Sequence, residues 1–409
     1  MIAPELTTAL ELPCGLVIKN RLLKSAMSEQ LADHAHNPTA RLERLYRTWA
    51  EGGVGLQVTG NAMVDRTAIG EPLNVILDER SDLSAFERWA GAARANGTQA
   101  FIQLNHPGKQ SPRFLSKEPV APSAIPLGGR IARGFHPPRA LREDEIQRIV
   151  GKFATAARLA KRAGFTGVQI HGAHGYLVSQ FLSPLHNQRT DGWGGNPSGR
   201  RRFVLEVYQA IRAEVGARYP VAIKLNSADF QRGGFGEDES MAVVDALGDA
   251  GIDLIEISGG TYEAPAMMGP TRGASSREAY FLEYSEKVRA RTRARVPLAV
   301  TGGFRSSAAM RDALCSGATD MIGLGRPLAL YPDLPNRLLG DAGVAVTLPR
   351  PSTGVAFVDT FTMLGITWYE AQLELLSRGK TPRPELGAWQ AVALVARRFG
   401  RHAFAARRG

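Results

Sequence analysis

The stretch GVQIHGAHGYL (167–177) contains a short apolar run followed by two histidines and a tyrosine. The run GVQIHG (167–172) has the length and composition of a buried β-strand. His171, His174 and Tyr176 would then lie at the carboxyl end of that strand. Taken alone, the three side chains could be metal ligands, a proton-handling site or ordinary loop residues. The rest of the chain has to decide between these interpretations.

Similar short runs recur along the chain, and segments with helical periodicity separate them. The other runs are RLLKSAM (21–27), GLQVTG (55–60), QAFIQLN (99–105), VAIKLN (221–226), IDLIEIS (252–258), PLAVTG (297–302) and TDMIGLG (319–325). Eight strand–helix units over about 300 residues predict an α/β fold, a parallel sheet closed into a (β/α)8 TIM barrel. A doubly wound open sheet is the alternative, but no GxGxxG motif follows the first run.

The strand–helix alternation stops near residue 345, which divides the chain into two predicted domains. Residues 1–345 would form the barrel, and residues 346–409 would form a C-terminal helical, basic extension. Within the barrel, the long connection 105–142 is rich in proline and glycine. Long loops in compact domains tend to be functional, so we expect this loop to fold over the barrel mouth as a lid.

The composition is that of an ordinary globular protein, with 44% hydrophobic and 22% charged residues among 409. Two distant cysteines, Cys14 and Cys315, provide neither a disulfide framework nor a cluster-binding motif. No apolar run approaches the 18 or so residues of a membrane span, and the first residues do not resemble a signal peptide. These features predict a cytoplasmic protein that does not bind a membrane.

The net charge of +11 is concentrated at the C-terminal end of the chain. Residues 378–409 contain eight Lys and Arg and one Glu, a net charge of +7. A basic tail can bind nucleic acid, but much of this charge follows the apolar run AVALVA (391–396). We interpret the tail as a packed helix with a solvated end and expect no nucleic-acid partner.

Active sites of TIM barrels lie at the carboxyl ends of the strands, and these positions carry a distinctive set of residues here. They are Ser25 to Ser28, Gly60, Gln103, His171, His174, Tyr176, Lys224, Gly302, Gly303, Gly325 and Arg326. Glycine pairs after the seventh and eighth strands suit a phosphate site, because backbone N–H groups can approach an anion there. Arg326 could neutralise that anion.

At these residues the sequence resembles the Old Yellow Enzyme family of FMN-dependent ene-reductases, over roughly residues 5–345. The resemblance includes LVIKNRLLKSAMS (16–28), IQLNHPGK (102–109) and the long block from HGAHGYLVSQFLSP (171–184) to NQRTDGWGGN (187–196). It continues in TGGF (301–304) and GLGRP (323–327). It implies noncovalent FMN in the barrel mouth, NADPH or NADH as reductant, and a small activated alkene as substrate.

The resemblance also implies which residues hold the flavin. Gln103 matches the amide at the pyrimidine edge, and Lys224 matches a cation, usually Arg, beside N1 and O2. Gly60 has the small-residue position beneath the ring, and Ser28 falls next to O4 and N5, where its hydroxyl would donate to O4. The phosphate position corresponds to Gly302, Gly303, Gly325 and Arg326, and the remaining flavin contacts to Ser25, Ala26, Met27 and His171.

The catalytic assignments follow from the same resemblance. His171 and His174 match paired donors that bind the oxygen of the substrate's activating group. Because hydride addition pushes negative charge onto that oxygen, donors held in place favour the transition state. Tyr176 matches the proton donor to carbon, and a phenol of ordinary pKa near 10 is protonated at neutral pH.

Two rival functions are less well supported. A metal site would need further ligands, for which His186 and Asp191 are candidates, and no metal is expected. A tRNA-modifying flavin barrel of the dihydrouridine synthase type would use the basic tail, but its cysteine acid is missing from NHPGKQ (105–110). Iron–sulfur branches of the resembled family are disfavoured because no cysteine follows Cys315. The sequence leaves a homo-oligomer open.

Overall fold

A computed structural model describes residues 5–261, 263, 279, 281–291 and 296–399. It contains eight parallel strands at the eight predicted positions. They are β1 (Leu22–Lys24), β2 (Leu56–Met63), β3 (Gln99–Asn105), β4 (Gly167–Gly172), β5 (Val221–Asn226), β6 (Leu254–Ser258), β7 (Leu298–Thr301) and β8 (Met321–Leu324). β1 pairs with both β2 and β8, which closes the sheet into a barrel and confirms the predicted (β/α)8 fold.

Helices surround the barrel in the expected alternation. They are α1 (Ala40–Glu51), α2 (Leu83–Ala93), α3 (Glu143–Arg162), α4 (Leu177–Leu182), α5 (Pro197–Val215), α6 (Glu237–Asp249), α7 (Leu282–Arg291), α8 (Ser307–Cys315), α9 (Arg326–Leu330) and α10 (Leu334–Gly340). In α1 the buried positions Leu42, Leu45, Tyr46 and Trp49 follow helical spacing, so one face packs on the strands. Asn196 caps α5 by accepting a hydrogen bond from the Gly199 N–H at 2.9 Å.

Short elements complete the barrel domain. An antiparallel hairpin joins Leu10–Glu11 to Val17–Ile18, and Val75–Ile76 extends the sheet beside β2. The loop predicted as a lid contains the paired strands Val120–Ala121 and Arg139–Ala140 and a 3-10 segment, Gly129–Gly134.

The interior of the barrel changes from apolar to polar along the strands. Near the amino ends, strand side chains and the N-terminal hairpin form one buried apolar cluster, made of Leu10, Leu12, Ile18, Leu23, Leu56, Val58, Phe101, Ala222, Leu254, Ala299 and Met321. Side chains alternate along a strand, so the next inward positions lie two residues further on. Those positions carry the buried polar residues Ser25, Gln103, Lys224 and Glu256 and the partly buried Thr301. The apolar cluster closes the amino end, and the polar layer becomes the floor of the mouth.

The C-terminal segment is helical, as predicted, and packs on the barrel. It contains α11 (Ala356–Phe361), α12 (Leu364–Ser377) and α13 (Ala388–Phe399). α12 contacts α1, α9 and α13, and its Trp368 and Leu373 belong to the main hydrophobic core. The basic residues beyond Phe399 lie outside the described residues. None of the helices in the described ranges is long and apolar enough to span a bilayer.

Trp368 provides a test of how firmly α12 is joined to the barrel. The side chain is 1% exposed, and its indole N–H donates to the Leu386 carbonyl at 2.8 Å. Trp368→Ala should lower the free energy of unfolding by about 3–5 kcal/mol, because it leaves a large cavity. Urea unfolding followed by circular dichroism measures this effect.

Trp389→Ala on α13 is the matched control, because Trp389 is 55% exposed. Its effect should remain within about 0.5 kcal/mol. Equal effects of the two substitutions would show that α12 is not part of the barrel core.

Candidate active site

A cavity of about 300 Å³ opens at the carboxyl ends of the barrel strands. The structure brings all of the residues predicted for the site to its walls: Ser25, Ala26, Met27, Ser28, Gly60, Gln103, His171, His174, Tyr176, Lys224, Gly302, Gly303, Gly325 and Arg326. Residues that the sequence analysis missed also line it, among them Asn61, Glu71, Ser258, Ile366 and Tyr369. The placement agrees with the prediction, whereas the chemical role of each side chain stays a prediction.

A buried ion pair between Lys224 and Glu256 forms the centre of the cavity floor. Lys224 Nζ lies 3.0 Å from a Glu256 carboxylate oxygen and donates to Ser25 Oγ at 2.7 Å. The Ser25 and Thr301 hydroxyls both donate to Glu256. Burial alone would raise the pKa of Glu256, but Lys224 and these donors hold it below its ordinary value. The carboxylate is therefore ionised, and the cation predicted for the flavin has a countercharge.

Two glutamines extend this network across the floor. Gln169 donates to the second Glu256 oxygen at 2.8 Å, and Gln103 donates to the Gln169 carbonyl at 2.7 Å. Gln103 is at the end of this chain of hydrogen bonds and lines the cavity. Gln169 and Glu256 were missed by the sequence analysis, although a carboxylate flanked by apolar residues in the run IDLIEIS (252–258) was a usable signal. Buried charges are almost always paired, and Lys224 is in the neighbouring run.

Gly60 lies where β2 changes register. The pairing of β2 with β3 shifts between Val58 and Asn61, which is a bulge, and bulges often redirect side chains next to active sites. A Cβ at position 60 would lie 2.4 Å from the Met27 carbonyl oxygen and 2.0 Å from Glu29 Oε2. A glycine is therefore required at position 60 because the segment that contains Met27 and Glu29 approaches it so closely.

Ser28 has a hydrogen-bond partner that the sequence did not indicate. Its hydroxyl donates to Glu71, a residue that is 2% exposed and also lines the cavity. A serine hydroxyl has a single proton. While Ser28 donates to Glu71, the expected donation to flavin O4 would require the hydroxyl to turn. Glu71 lies in the irregular loop after β2, where no periodicity marks a functional residue.

A left-handed turn after β4 brings the two histidines and the tyrosine together. His174 has a φ of 61° and Gly175 has a φ of 78°. The strained His174 backbone is held at both ends, since its carbonyl accepts from Gln110 at 3.0 Å and its N–H donates to Asn226 at 3.3 Å. The ring centroids of His171 and His174 are consequently 5.2 Å apart, and those of His171 and Tyr176 are 4.8 Å apart.

Both histidines are neutral donors at ordinary pH. Burial, the neighbouring imidazole and Lys224 lower the pKa of His171 well below its usual value, and burial and Lys224 lower that of His174 to about 3. The Ala173 N–H donates to His171 Nδ1 at 3.3 Å, so the proton is on Nε2. His174 Nε2 lies 2.9 Å from Ser258 Oγ. The pair can bind a partly negative oxygen without carrying a full charge.

Tyr176 is 3% exposed and begins the segment that leads into α4. Its hydroxyl oxygen lies 3.5 Å from the Asn61 amide nitrogen, a long contact at the limit of hydrogen bonding. The Oδ1 atom of Asn61 is buried without a hydrogen-bond partner among the described residues. Both groups line the cavity, so a ligand there could satisfy the amide and meet the phenol.

The opposite end of the cavity is formed by glycine backbone and arginine. Gly302 and Gly303 have φ values of 138° and 94°, conformations that favour glycine. A Cβ at Gly325 would find no atom within 4 Å, so this backbone faces open space. Arg326 follows directly and also lines the cavity. Such an arrangement suits an anion.

The alternative metal ligands are engaged elsewhere. Asp191 pairs with Arg189, and His186 lies 3.4 Å from Glu263 and 2.9 Å from the buried Lys109. Burial, with Lys109, lowers the pKa of His186 to about 3. No group of three or more His, Cys, Asp or Glu side chains within the described ranges could hold a metal ion.

The predicted lid loop meets the site at Gln110. Gln110 donates to the His174 carbonyl and thereby supports the left-handed turn after β4. No described residue of 106–142 lines the cavity. Its role as a lid therefore stays a prediction.

The fold and the cavity define a class: a TIM barrel whose mouth joins an anion site to a polar floor and a set of proton-bearing side chains. Residues 14–341 match the model of the NADH:flavin oxidoreductase / NADH oxidase family. The chain belongs to this family, which includes the Old Yellow Enzymes.

Named relatives agree with this assignment. An NADH-dependent flavin oxidoreductase of Talaromyces variabilis is 36% identical over 412 residues, covering 91% of this chain and 98% of the relative. One from Neonectria sp. (strain DH2) is 40% identical over 79% of this chain, which spans only 45% of that longer protein. The solved Old Yellow Enzyme homologue of Zymomonas mobilis is 28% identical, with a TM-score of 0.72 over 84% of this chain and 94% of that one.

The protein is therefore a flavin oxidoreductase with FMN as cofactor and NAD(P)H as reductant. The residues that line the cavity suit FMN. Gly325 and its neighbours leave backbone open to a phosphate, and Arg326 supplies a positive charge. The polar floor around Gln103 and Lys224 presents the hydrogen-bonding groups that a flavin ring system requires.

The depressed histidine pKa values predict how stability depends on pH. A buried histidine that stays neutral binds fewer protons than it does in the unfolded chain. Its contribution is fully present above pH 6.5 and is lost as the pH falls towards its folded pKa, which is about 3 for His174. His174→Asn should therefore reduce the loss of unfolding free energy between pH 6 and pH 4 by up to about 1.4 kcal/mol per pH unit.

Urea unfolding at a series of pH values measures this difference. His34→Asn is the control, because His34 is exposed and should leave the pH dependence unchanged. An unaltered slope in His174→Asn would mean that His174 is not held neutral by the fold.

Proposed function

We propose that the protein reduces activated C=C bonds, such as those of enones, enals and nitroalkenes, with NAD(P)H as the source of hydride. The observation that carries the proposal is the cluster of His171, His174 and Tyr176 in one cavity, in which the His171 ring centroid lies 5.2 Å from that of His174 and 4.8 Å from that of Tyr176. In a protein that only binds a ligand, the proton donor and the pair of neutral donors would be superfluous.

Bound FMN would supply the redox step, by accepting a hydride from NAD(P)H and passing a hydride to the alkene. The protein's own side chains would do the rest. His171 Nε2–H and the His174 ring would bind the carbonyl or nitro oxygen, on which negative charge grows as hydride reaches the β-carbon. Tyr176 would donate its proton to the α-carbon. NAD(P)H and the alkene would occupy the same cavity in turn, which gives ping-pong kinetics.

Further proposals concern the partners, the cellular location and the oligomeric state of the protein. The tRNA-modifying alternative is not favoured by the family match or by the relatives. The alkene is a small molecule, and we expect no nucleic-acid partner. Cytoplasmic location and a homo-oligomer stay proposals, which cell fractionation and light scattering would test.

Tyr176→Phe tests the mechanism. The half-reaction in which 2-cyclohexenone reoxidises the protein should slow by about 10²–10⁴-fold, because only this half-reaction needs a proton on carbon. The half-reaction in which NAD(P)H bleaches the yellow colour should change little. Stopped-flow absorbance measures both rates, and a nitroalkene, whose product anion can wait for a solvent proton, should be less affected.

Tyr331→Phe is a suitable control, because it removes the same hydroxyl from a residue on the α9–α10 connection, outside the cavity lining. Equal slowing of both half-reactions in Tyr176→Phe would contradict the proton-donor role. It would indicate instead that the substitution disturbs the whole cavity.

Glu71 should influence the redox potential of bound FMN. Reduction adds negative charge inside the cavity, and a buried carboxylate in its wall opposes that change. Glu71→Gln should therefore raise the midpoint potential, by about 30 mV for each 1.4 kcal/mol of repulsion removed in a two-electron couple. Dye-equilibration potentiometry measures the shift. Glu79→Gln, with 76% of its side chain exposed, should leave the potential unchanged, and an equal potential in Glu71→Gln would rule out this influence.

A further inference from the structure

Part of the cavity wall comes from a segment that lies beyond the family-defining region. The family model ends at residue 341, whereas the cavity is also lined by Leu348 and by residues of α12. The α12 residues are Gly365, Ile366, Tyr369, Glu370 and Leu373. They occupy successive turns on one side of the helix, as positions three and four residues apart must.

Several bonds hold this helix in position over the mouth. Gln30, in the loop after β1, donates to Glu370 at 2.9 Å. At the far end of α12, Arg41 of α1 forms an ion pair with Glu374 and donates to Ser377 at 3.2 Å. The helix is thus fixed to the first strand–helix unit of the barrel, the unit that also supplies Ser25 to Ser28.

The side chains that α12 presents suit one end of a flavin nucleotide. Ile366 and Leu373 are apolar, and the Tyr369 ring is 5.9 Å from the Arg326 guanidinium. Arg326 belongs to the glycine-rich anion site. Apolar and aromatic groups beside an anion site match a ligand that joins an apolar ring system to a phosphate.

We propose that α12 is part of the FMN site, forming its outer wall so that the C-terminal segment of the same chain completes the cofactor cavity. This inference rests on the cavity being the place where FMN binds. The cofactor would be enclosed between the barrel mouth and α12, and its affinity would depend on residues that the family model does not include.

Ile366 allows a test that separates a direct effect from disturbed folding. The side chain is partly exposed and lines the cavity about one helical turn from Tyr369, whose ring is 5.9 Å from the Arg326 guanidinium, so a charge placed there should be tolerated and act on the FMN phosphate. Ile366→Glu should weaken FMN binding to the apoprotein at least tenfold relative to Ile366→Lys, because one charge repels the phosphate and the other attracts it. Quenching of FMN fluorescence on titration with apoprotein gives both dissociation constants.

Two further variants separate the role of α12 from the location of FMN. Trp389→Ala, on α13 and outside the cavity, should bind FMN like the unaltered protein. Arg326→Gln should weaken binding by about tenfold or more if the cavity is the FMN site at all. A loss with Arg326→Gln but equal affinities for the two Ile366 variants would overturn the role of α12 alone. No effect of any variant would overturn the location of FMN in this cavity.

Discussion

The ion pair between Lys224 and Glu256 in the middle of the barrel is the interaction on which the site depends. Removing one member of a buried pair leaves an uncompensated charge and costs about 3–5 kcal/mol, so both ions need complete sets of partners. Ser25, Gln169 and Thr301 supply hydrogen bonds to Glu256, and each comes from a different strand or strand end. Satisfying one carboxylate therefore fixes the relative positions of several strand ends, and these ends carry residues that line the cavity.

The same constraint explains why the barrel has a closed bottom and an open top. The N-terminal hairpin and the lower inward side chains form a buried apolar cluster beneath the ion pair, whose members are themselves buried. Above it, β4 ends in a turn in which the left-handed His174 is stabilised by hydrogen bonds to Gln110 and Asn226. The mouth can hold polar and strained groups because the layers beneath it are well packed.

The C-terminal segment changes how the molecule should be divided. Its amphipathic run and basic tail suggest an appendage, but Trp368 is in the main core and α12 lines the cavity. The sequence of a helix indicates which of its residues can be buried. It does not indicate which part of the protein will cover them. In the folded chain α12 packs against α1 and α9, and this packing places it at the barrel mouth.

The sequence by itself determined the eight strands, their order and the residues at their carboxyl ends, because strand periodicity and the parallel barrel place those positions together. It also determined the family, through the long HGAHGYL block. Only the tertiary structure decided the partners of these residues: that Glu256 neutralises Lys224, that Ser28 donates to Glu71, and that Tyr369 faces Arg326. The physical reason is that hydrogen bonds and ion pairs between distant segments depend on side-chain direction and burial, which local patterns of apolar and polar residues do not encode.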